Sequence, residues 1–368
     1  MKFTEQQKKI ITATEPKILC VAAAGSSKTL TLTERIRYLI TKKNVKPEDI
    51  VALTFTNMAA EEMKKRLGDI AYGAFIGTIH SYAGQLCIAN GINVMEYIER
   101  MEFDKILDKA ATIPNDRFPH VRYLFMDECQ DTSPEDLDVL NKINYDNFFL
   151  VGDFRQLIYS FRGSSPDIFY LFFRDPSFKV YYLTKNFRCP PNVITFANRF
   201  VDKMRDCGPN CEAYKTKAGF IDEDCTLNDV IEEISWSDNY GKWAILCRTN
   251  AEIEEAQNRL DAMKIPNLTF KKGDLELDEM EKLMTENKVK VLTIHASKGL
   301  SFPNVAVVGA RVYNADERRI SYVAATRAEN NLYWCPTIVK KGTKPSQIVN
   351  ARAAINKTQE IKKKIIQF

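Results

Sequence analysis

The sequence has few histidines, no long apolar run and no cysteine framework, and each shortage closes off a class of protein. Its three histidines, His80, His120 and His295, lie too far apart to suggest a metal cluster, because the ligands of a zinc site recur at short spacings. Nine cysteines are scattered singly, as at Cys20, Cys129 and Cys247, without the paired spacing of a zinc site or a secreted disulfide framework. They read as reduced and mostly buried, and no structural metal is expected. No stretch of about 18 or more uncharged apolar residues occurs. The start, Met1-Lys2-Phe3-Thr4-Glu5-Gln6, lacks the apolar core of a signal peptide. The expectation is a cytoplasmic protein with no membrane partner. Internal repeats and low-complexity linkers are also absent.

What is present is the balance of a soluble globular protein. The 368 residues are 45% hydrophobic and 27% charged, long enough for two ordinary domains. The net charge of +4 neither requires nor excludes a polyanionic partner, because an electrostatic footprint depends on clustering more than on the total. Apolar stretches of strand length recur at helix-length intervals, the rhythm of parallel α/β architecture. They are Ile18–Val21, Ile50–Phe55, Tyr123–Met126 and Phe148–Val151, and then, in a set that begins after Val180, Trp243–Cys247, Val289–Ile294 and Asn304–Val308. The pattern predicts two α/β domains, residues 1–179 and 180–368. A basic tail from Val339, with Lys340-Lys341 and Lys362-Lys363-Lys364, reads as a solvated surface helix.

Chemistry enters with Ala22-Ala23-Ala24-Gly25-Ser26-Ser27-Lys28-Thr29, which follows an apolar strand and precedes a helical pattern through Leu30, Leu32 and Ile36. A phosphate-binding loop requires that context. Backbone N–H groups from Ala24 to Ser27 and a helix N-terminus face the phosphates, Lys28 reaches the β and γ oxygens, and Thr29 holds Mg²⁺. Both usual glycine positions are changed, to Ala22 and Ser27; a strand-turn-helix with a surface lysine is the competing reading. Next comes Met126-Asp127-Glu128-Cys129-Gln130-Asp131. An acidic pair at the carboxyl end of a buried strand suits a site in which Asp127 supports the metal and Glu128 polarises an attacking water. Adjacent acids are common in turns, but following Lys28 and Thr29 in the expected order they point to a nucleotide site.

The stretch Gly152-Asp153-Phe154-Arg155-Gln156-Leu157-Ile158-Tyr159-Ser160-Phe161-Arg162-Gly163 resembles the third motif of the UvrD/Rep/PcrA-like superfamily 1 DNA helicases. Other segments resemble that family's motifs in order: Phe3-Thr4-Glu5-Gln6-Gln7, Thr54 to Met63, Gly77-Thr78-Ile79-His80, Asn186-Phe187-Arg188, Ala244 to Asn250, Thr293 to Leu300 and Tyr322 to Ala328. The resemblance runs from Phe3 to about Asn330. It implies an α/β fold of two RecA-like domains with parallel sheets, ATP and Mg²⁺ in the cleft between them, and a single strand of DNA crossing both. By resemblance, Gln7 recognises adenine, Phe187 stacks on the base, Gly299 borders the nucleotide, and Gln156 senses the γ-phosphate. Arg188 and Arg327 reach that phosphate from the second domain, where guanidinium groups neutralise transition-state charge. The implied strand contacts are Thr56, Asn57, Thr78, His80, Tyr159 and His295, with Phe161 as a stacking aromatic. Taken singly, Phe161 would more often be a core residue. The implied activity is an ATP-dependent helicase or translocase moving 3′ to 5′, with a replication or repair protein as a further partner.

Several residues depart from the family pattern. Ser27 stands where a glycine is usual, and a side chain there carries a cost if the loop needs a positive φ. Ser301 replaces a glutamate, so a ribose contact is expected to be lost, and Met58 replaces a common lysine. Only short segments separate His80 from Asp127 and Arg248 from Thr293, where larger relatives insert helical subdomains. Two other readings stay open: an ATP-gated single-strand-binding subunit with little turnover, and a P-loop kinase, which leaves the aromatic and His/Thr motifs unexplained. Stacking and backbone contacts do not by themselves separate DNA from RNA.

Overall fold

In the computed structural model, residues 2–202, 204, 208–269 and 277–336 are described; the basic tail expected from Val339 lies outside them. The chain opens on α1 (Glu5–Thr12), fixed by a capping box in which the Thr4 hydroxyl accepts from the Gln7 N–H and the Gln7 side chain accepts from the Thr4 N–H. The first sheet is built from β1 (Lys17–Ala22), β2 (Ile50–Thr54), β3 (Phe75–Thr78), β4 (His120–Met126), β5 (Asn144–Gly152) and β6 (Lys179–Leu183), in the order β3-β2-β4-β5-β1-β6. All its pairings are parallel. Helices α2 (Lys28–Lys43) and α3 (Asn57–Leu67) cross between strands. Three short helices, α4 (Ile79–Ala89), α5 (Met95–Glu99) and α6 (Phe103–Ala111), fill the interval from β3 to β4, and α7 (Pro134–Leu140) and α8 (Pro166–Arg174) follow the later strands.

The expected boundary at residue 179 falls at the start of β6, which pairs with β1 from Ile18↔Lys179 to Ala22↔Leu183. The chain therefore leaves the first sheet after Leu183. It then makes a two-stranded ribbon, β7 (Lys185–Asn186) with β8 (Glu212–Ala213), around α9 (Pro191–Val201).

The second sheet comprises β9 (Phe220–Asp222), β10 (Trp243–Cys247), β11 (Asn267–Leu268), β12 (Val289–Thr293), β13 (Phe302–Val308) and β14 (Ala328–Cys335), ordered β11-β12-β10-β13-β14-β9 and again parallel throughout. Its helices are α10 (Leu227–Ser235), α11 (Asn250–Ala262), α12 (Leu277–Thr285) and α13 (Ala315–Ala325). Every residue of β2 and β10 is buried, as strands covered by helices on both faces must be, which is why they read as unbroken apolar runs.

One apolar cluster joins the two halves. It contains Ala23 and Ala24 of the loop after β1, Ile158 and Tyr159 after β5, and Leu292, Ile294, Tyr322 and Val323 of the second sheet and α13. Across the same boundary the Arg319 guanidinium lies 4.2 Å from the Phe154 ring centroid, and the Ser160 hydroxyl is 3.3 Å from Asp316 Oδ2. No helix among the described residues is long and apolar enough to cross a membrane.

Candidate nucleotide and single-strand sites

The loop between β1 and α2 turns on two left-handed residues, Gly25 at φ 64° and Ser27 at φ 62°. Gly25 is required twice over: its φ is positive, and a Cβ there would stand 2.7 Å from Asn186 Nδ2 and 3.0 Å from Arg188 Cβ. The loop carbonyls are held by the end of β7 and the residue after it, with Asn186 Nδ2 donating to Ala24 O at 2.7 Å and Phe187 N–H to Gly25 O at 2.9 Å. The Ser26 hydroxyl is buried without a partner among the described residues. A helix N-terminus, a lysine and an orphaned hydroxyl in one loop fit an oxyanion group such as a phosphate chain.

Lys28 Nζ lies 3.0 Å from the Glu128 carboxylate, and the Thr29 hydroxyl donates to Asp127 Oδ2 at 2.8 Å. The elements expected from sequence to share a site are thus brought together, across about a hundred residues. Asp127 sits at the carboxyl end of β4, its N–H donating to Leu53 O at 2.9 Å. Burial, and then the neighbouring Glu128 charge, push the Asp127 carboxyl up to about 6. Burial also opposes ionisation of Glu128, but Lys28 and Lys298 outweigh it and hold that carboxyl well below the usual range. Thr29 and Asp127 provide oxygen ligands suited to Mg²⁺, which prefers a carboxylate with phosphate and water oxygens.

From the acid pair a chain of amides leads to Gln156. Gln130 Nε2 donates to Glu128, Gln130 Oε1 accepts from Asp153 N–H at 2.9 Å, and Gln156 Nε2 donates to Asp153 Oδ2 at 2.9 Å. Lys298, carried on the loop after β12, pairs with Asp131 and lies 3.9 Å from Glu128, so the second half touches the acids directly. Gly299 follows at φ 88°.

The two arginines approach from the second half differently. Arg188 is half-buried and donates to Thr326 O at 3.1 Å. Arg327 is almost fully buried and donates to Val323 O at 2.9 Å, Leu300 O at 3.2 Å and Thr326 Oγ1 at 3.3 Å. Burial, and then Arg188 beside it, bring its guanidinium down to about 9. Phe187 has its ring 4.8 Å from the exposed ring of Tyr214. Gln7 is buried, its amide occupied by the cap of α1 and lying 3.5 Å from Thr31 Oγ1. Ser301 does not leave its place without a carboxylate, because its hydroxyl donates to Glu329 Oε1 at 2.6 Å.

The residues expected to face a strand form a second group. Phe161 is 67% exposed, which removes the reading of it as a core residue. Its ring lies 5.2 Å from His295, edge to face, and 6.0 Å from Tyr159. Tyr159 is buried, stacks on Phe55 at 5.3 Å and donates through its hydroxyl to His295 O at 3.3 Å. Phe55, Tyr159, Phe161 and His295 thus make one aromatic line across the boundary. Thr56 and Thr78 cap α3 and α4 by accepting from Ala59 N–H at 3.2 Å and Ser81 N–H at 3.1 Å. Asn57 is exposed at the start of α3, and His80, in the first turn of α4, is half-buried beside Phe103.

Sequence reasoning missed Gln130, Asp131, Asn186 and Lys298 as site residues although each stands inside a quoted motif. Tyr214 and Glu329 carried no sequence signal, since only folding sets them beside Phe187 and Ser301.

Residues 3–95 and 93–177 match the family described as UvrD/REP helicase N-terminal domain, and residues 270–337 match UvrD-like helicase C-terminal domain. A Mycoplasma pneumoniae protein named "Probable DNA helicase" is 23% identical, the match covering 90% of this chain and 82% of that one. ATP-dependent DNA helicase PcrA of Staphylococcus epidermidis is 22% identical over 72% of this chain and 50% of its own length. Gabija protein GajB of Bacillus cereus is 24% identical over 86% and 92%. The chain spans about half the length of the PcrA relatives it matches.

Proposed function

The chain belongs to the UvrD/REP helicases, a family of ATP-hydrolysing DNA helicases, and from that premise we propose that it is a DNA-dependent ATPase that moves 3′ to 5′ along a single strand. The observation that carries the reading is the continuity between its two sites. Gln156, tied to the acid pair through Asp153 and Gln130, is three residues from Tyr159, which opens the aromatic line to Phe161 and His295. Hydrolysis and strand grip therefore share one short segment after β5.

When bound, ATP supplies the γ-phosphoryl group whose transfer to water drives the cycle, and Mg²⁺ offsets its charge. Lys28 and the N–H groups at the start of α2 would orient the phosphates, Thr29 and Asp127 would hold the metal, and Glu128 would polarise the attacking water. Arg188 and Arg327 come from the second domain, so full charge neutralisation depends on closure. Gln7, Phe187 and Gly299 border the nucleoside. On the strand side, Phe161 offers an exposed face for a base, and Thr56, Asn57, Thr78, His80, Tyr159 and His295 flank it; base stacking is worth about 1–3 kcal/mol and tolerates any sequence. Among the described residues, the intervals where bigger relatives hold large insertions carry the helices α4, α5 and α6 in the first domain and α11, β11 and α12 in the second. Strong duplex unwinding is accordingly assigned to the chain acting with a replication or repair partner.

A second reading, an ATP-gated strand-binding subunit with little turnover, is favoured by the left-handed Ser27. ATP hydrolysis with and without single-stranded DNA separates the two. Strand-stimulated hydrolysis that Lys28→Ala and Arg188→Ala each abolish is expected; strand binding with no turnover supports the gated subunit instead.

A further inference from the structure

Thr54 closes β2 with its hydroxyl buried and lacking a hydrogen-bond partner, and one carboxylate oxygen of Asp136, in the first turn of α7, is in the same condition. Thr54 is 3% exposed and Asp136 4%. The second Asp136 oxygen is already used, accepting from Ser133 N–H at 3.0 Å. Folded proteins leave few buried polar atoms unsatisfied, and an ordered water is a common resolution. Both residues line one small cavity whose other walls include Phe55, His80, Asp127 and Glu128. Its volume is about 20 Å³, above the roughly 10–15 Å³ that one water needs.

We propose that this cavity holds one ordered water, bound by Thr54 and Asp136, that relays strand contact to the acid pair. The inference rests on the strand-stimulated ATPase read above. β2 passes from Thr54 directly into Phe55 and Thr56, and His80 stands in the first turn of α4, so two walls of the cavity belong to the strand-facing group. Two others, Asp127 and Glu128, are the acids, and Asp127 is tied to the same strand end by its N–H to Leu53 O at 2.9 Å. A strand pressing on Phe55 or His80 shifts the walls that enclose the water, and the acids, which line the same cavity, feel that shift through it. This route lies within the first domain and is separate from closure of the cleft. Thr54 and Asp136 are positioning residues in it, because they act on the acids through the water.

Thr54→Val keeps the shape and removes the hydroxyl, whereas Thr54→Ser keeps the hydroxyl. The readout is the ratio of the ATP hydrolysis rate at saturating oligo-dT to the rate without strand. The expected result is a ratio smaller by about fivefold in the valine variant, the factor one net hydrogen bond is worth, with the serine variant close to wild type. An unchanged ratio in Thr54→Val, or an equal fall in both variants, overturns the relay while leaving strand stimulation intact. A wild-type rate that ignores the strand overturns the functional reading, and the relay with it.

Discussion

Ser27 concentrates the strain of the loop between β1 and α2 in one dihedral. Its φ of 62° lies where an L-residue costs about 1–2 kcal/mol relative to glycine, and its side chain makes no capping hydrogen bond to α2. Ser27→Gly is therefore expected to stabilise the protein by about 1 kcal/mol, read as a rise in Tm, and to tighten binding of a fluorescent ATP analogue. A fall in both would mean that the serine hydroxyl contacts the nucleotide. The two arginines predict different phenotypes. Among the described residues the Arg188 guanidinium makes one hydrogen bond, to Thr326 O, from a half-buried position, so Arg188→Ala should lower kcat by about 10³-fold with little change in Tm. Arg327 serves three acceptors from within the core, so Arg327→Ala should lower Tm as well, by leaving buried carbonyls without donors.

At the scale of elements, the capping threonines carry two duties. Thr56 holds the first turn of α3 and also belongs to the group proposed to face the strand, so an alanine there would confuse loss of helix with loss of contact. Aspartate caps as well as threonine and places a negative charge toward the phosphates. Thr56→Asp should keep Tm near wild type and weaken binding of labelled oligo-dT by about tenfold, measured by fluorescence anisotropy, in keeping with like-charge repulsion at a phosphate contact; unchanged affinity would remove Thr56 from the strand path. The elements most legible in the sequence were those whose pattern their burial dictates. β1, β2, β4, β5, β10, β12 and β13 lie inside parallel sheets and read as apolar runs. β14 does not, because Glu329, Asn330 and Asn331 follow directly on its first residue, and the expected boundary after residue 179 cuts through β6 because strand order is set by pairing between residues far apart in the chain, as in Ile18↔Lys179. The Asp131–Lys298 pair was illegible for the same reason: each stands in its own motif, and only the fold makes them neighbours.

For the whole molecule, what matters is how the halves are coupled. Lys298 is buried against Asp131 and lies 5.0 Å from the Tyr159 ring centroid, so one side chain joins the second domain to both the acids and the aromatic line. Removing one member of a buried pair leaves the other uncompensated, at a cost of about 3–5 kcal/mol. Lys298→Met should accordingly favour separated domains, seen as a larger radius of gyration by small-angle scattering, and should weaken strand stimulation; an unchanged radius would show that the apolar cluster alone holds the halves together. Whether this coupling drives movement along a strand is read by stopped-flow translocation on oligo-dT of increasing length, labelled at one end. The expected result, with ATP, is a delay before the signal at a 5′ label that grows in proportion to strand length. A delay independent of length, or one that lengthens only with a 3′ label, would contradict it.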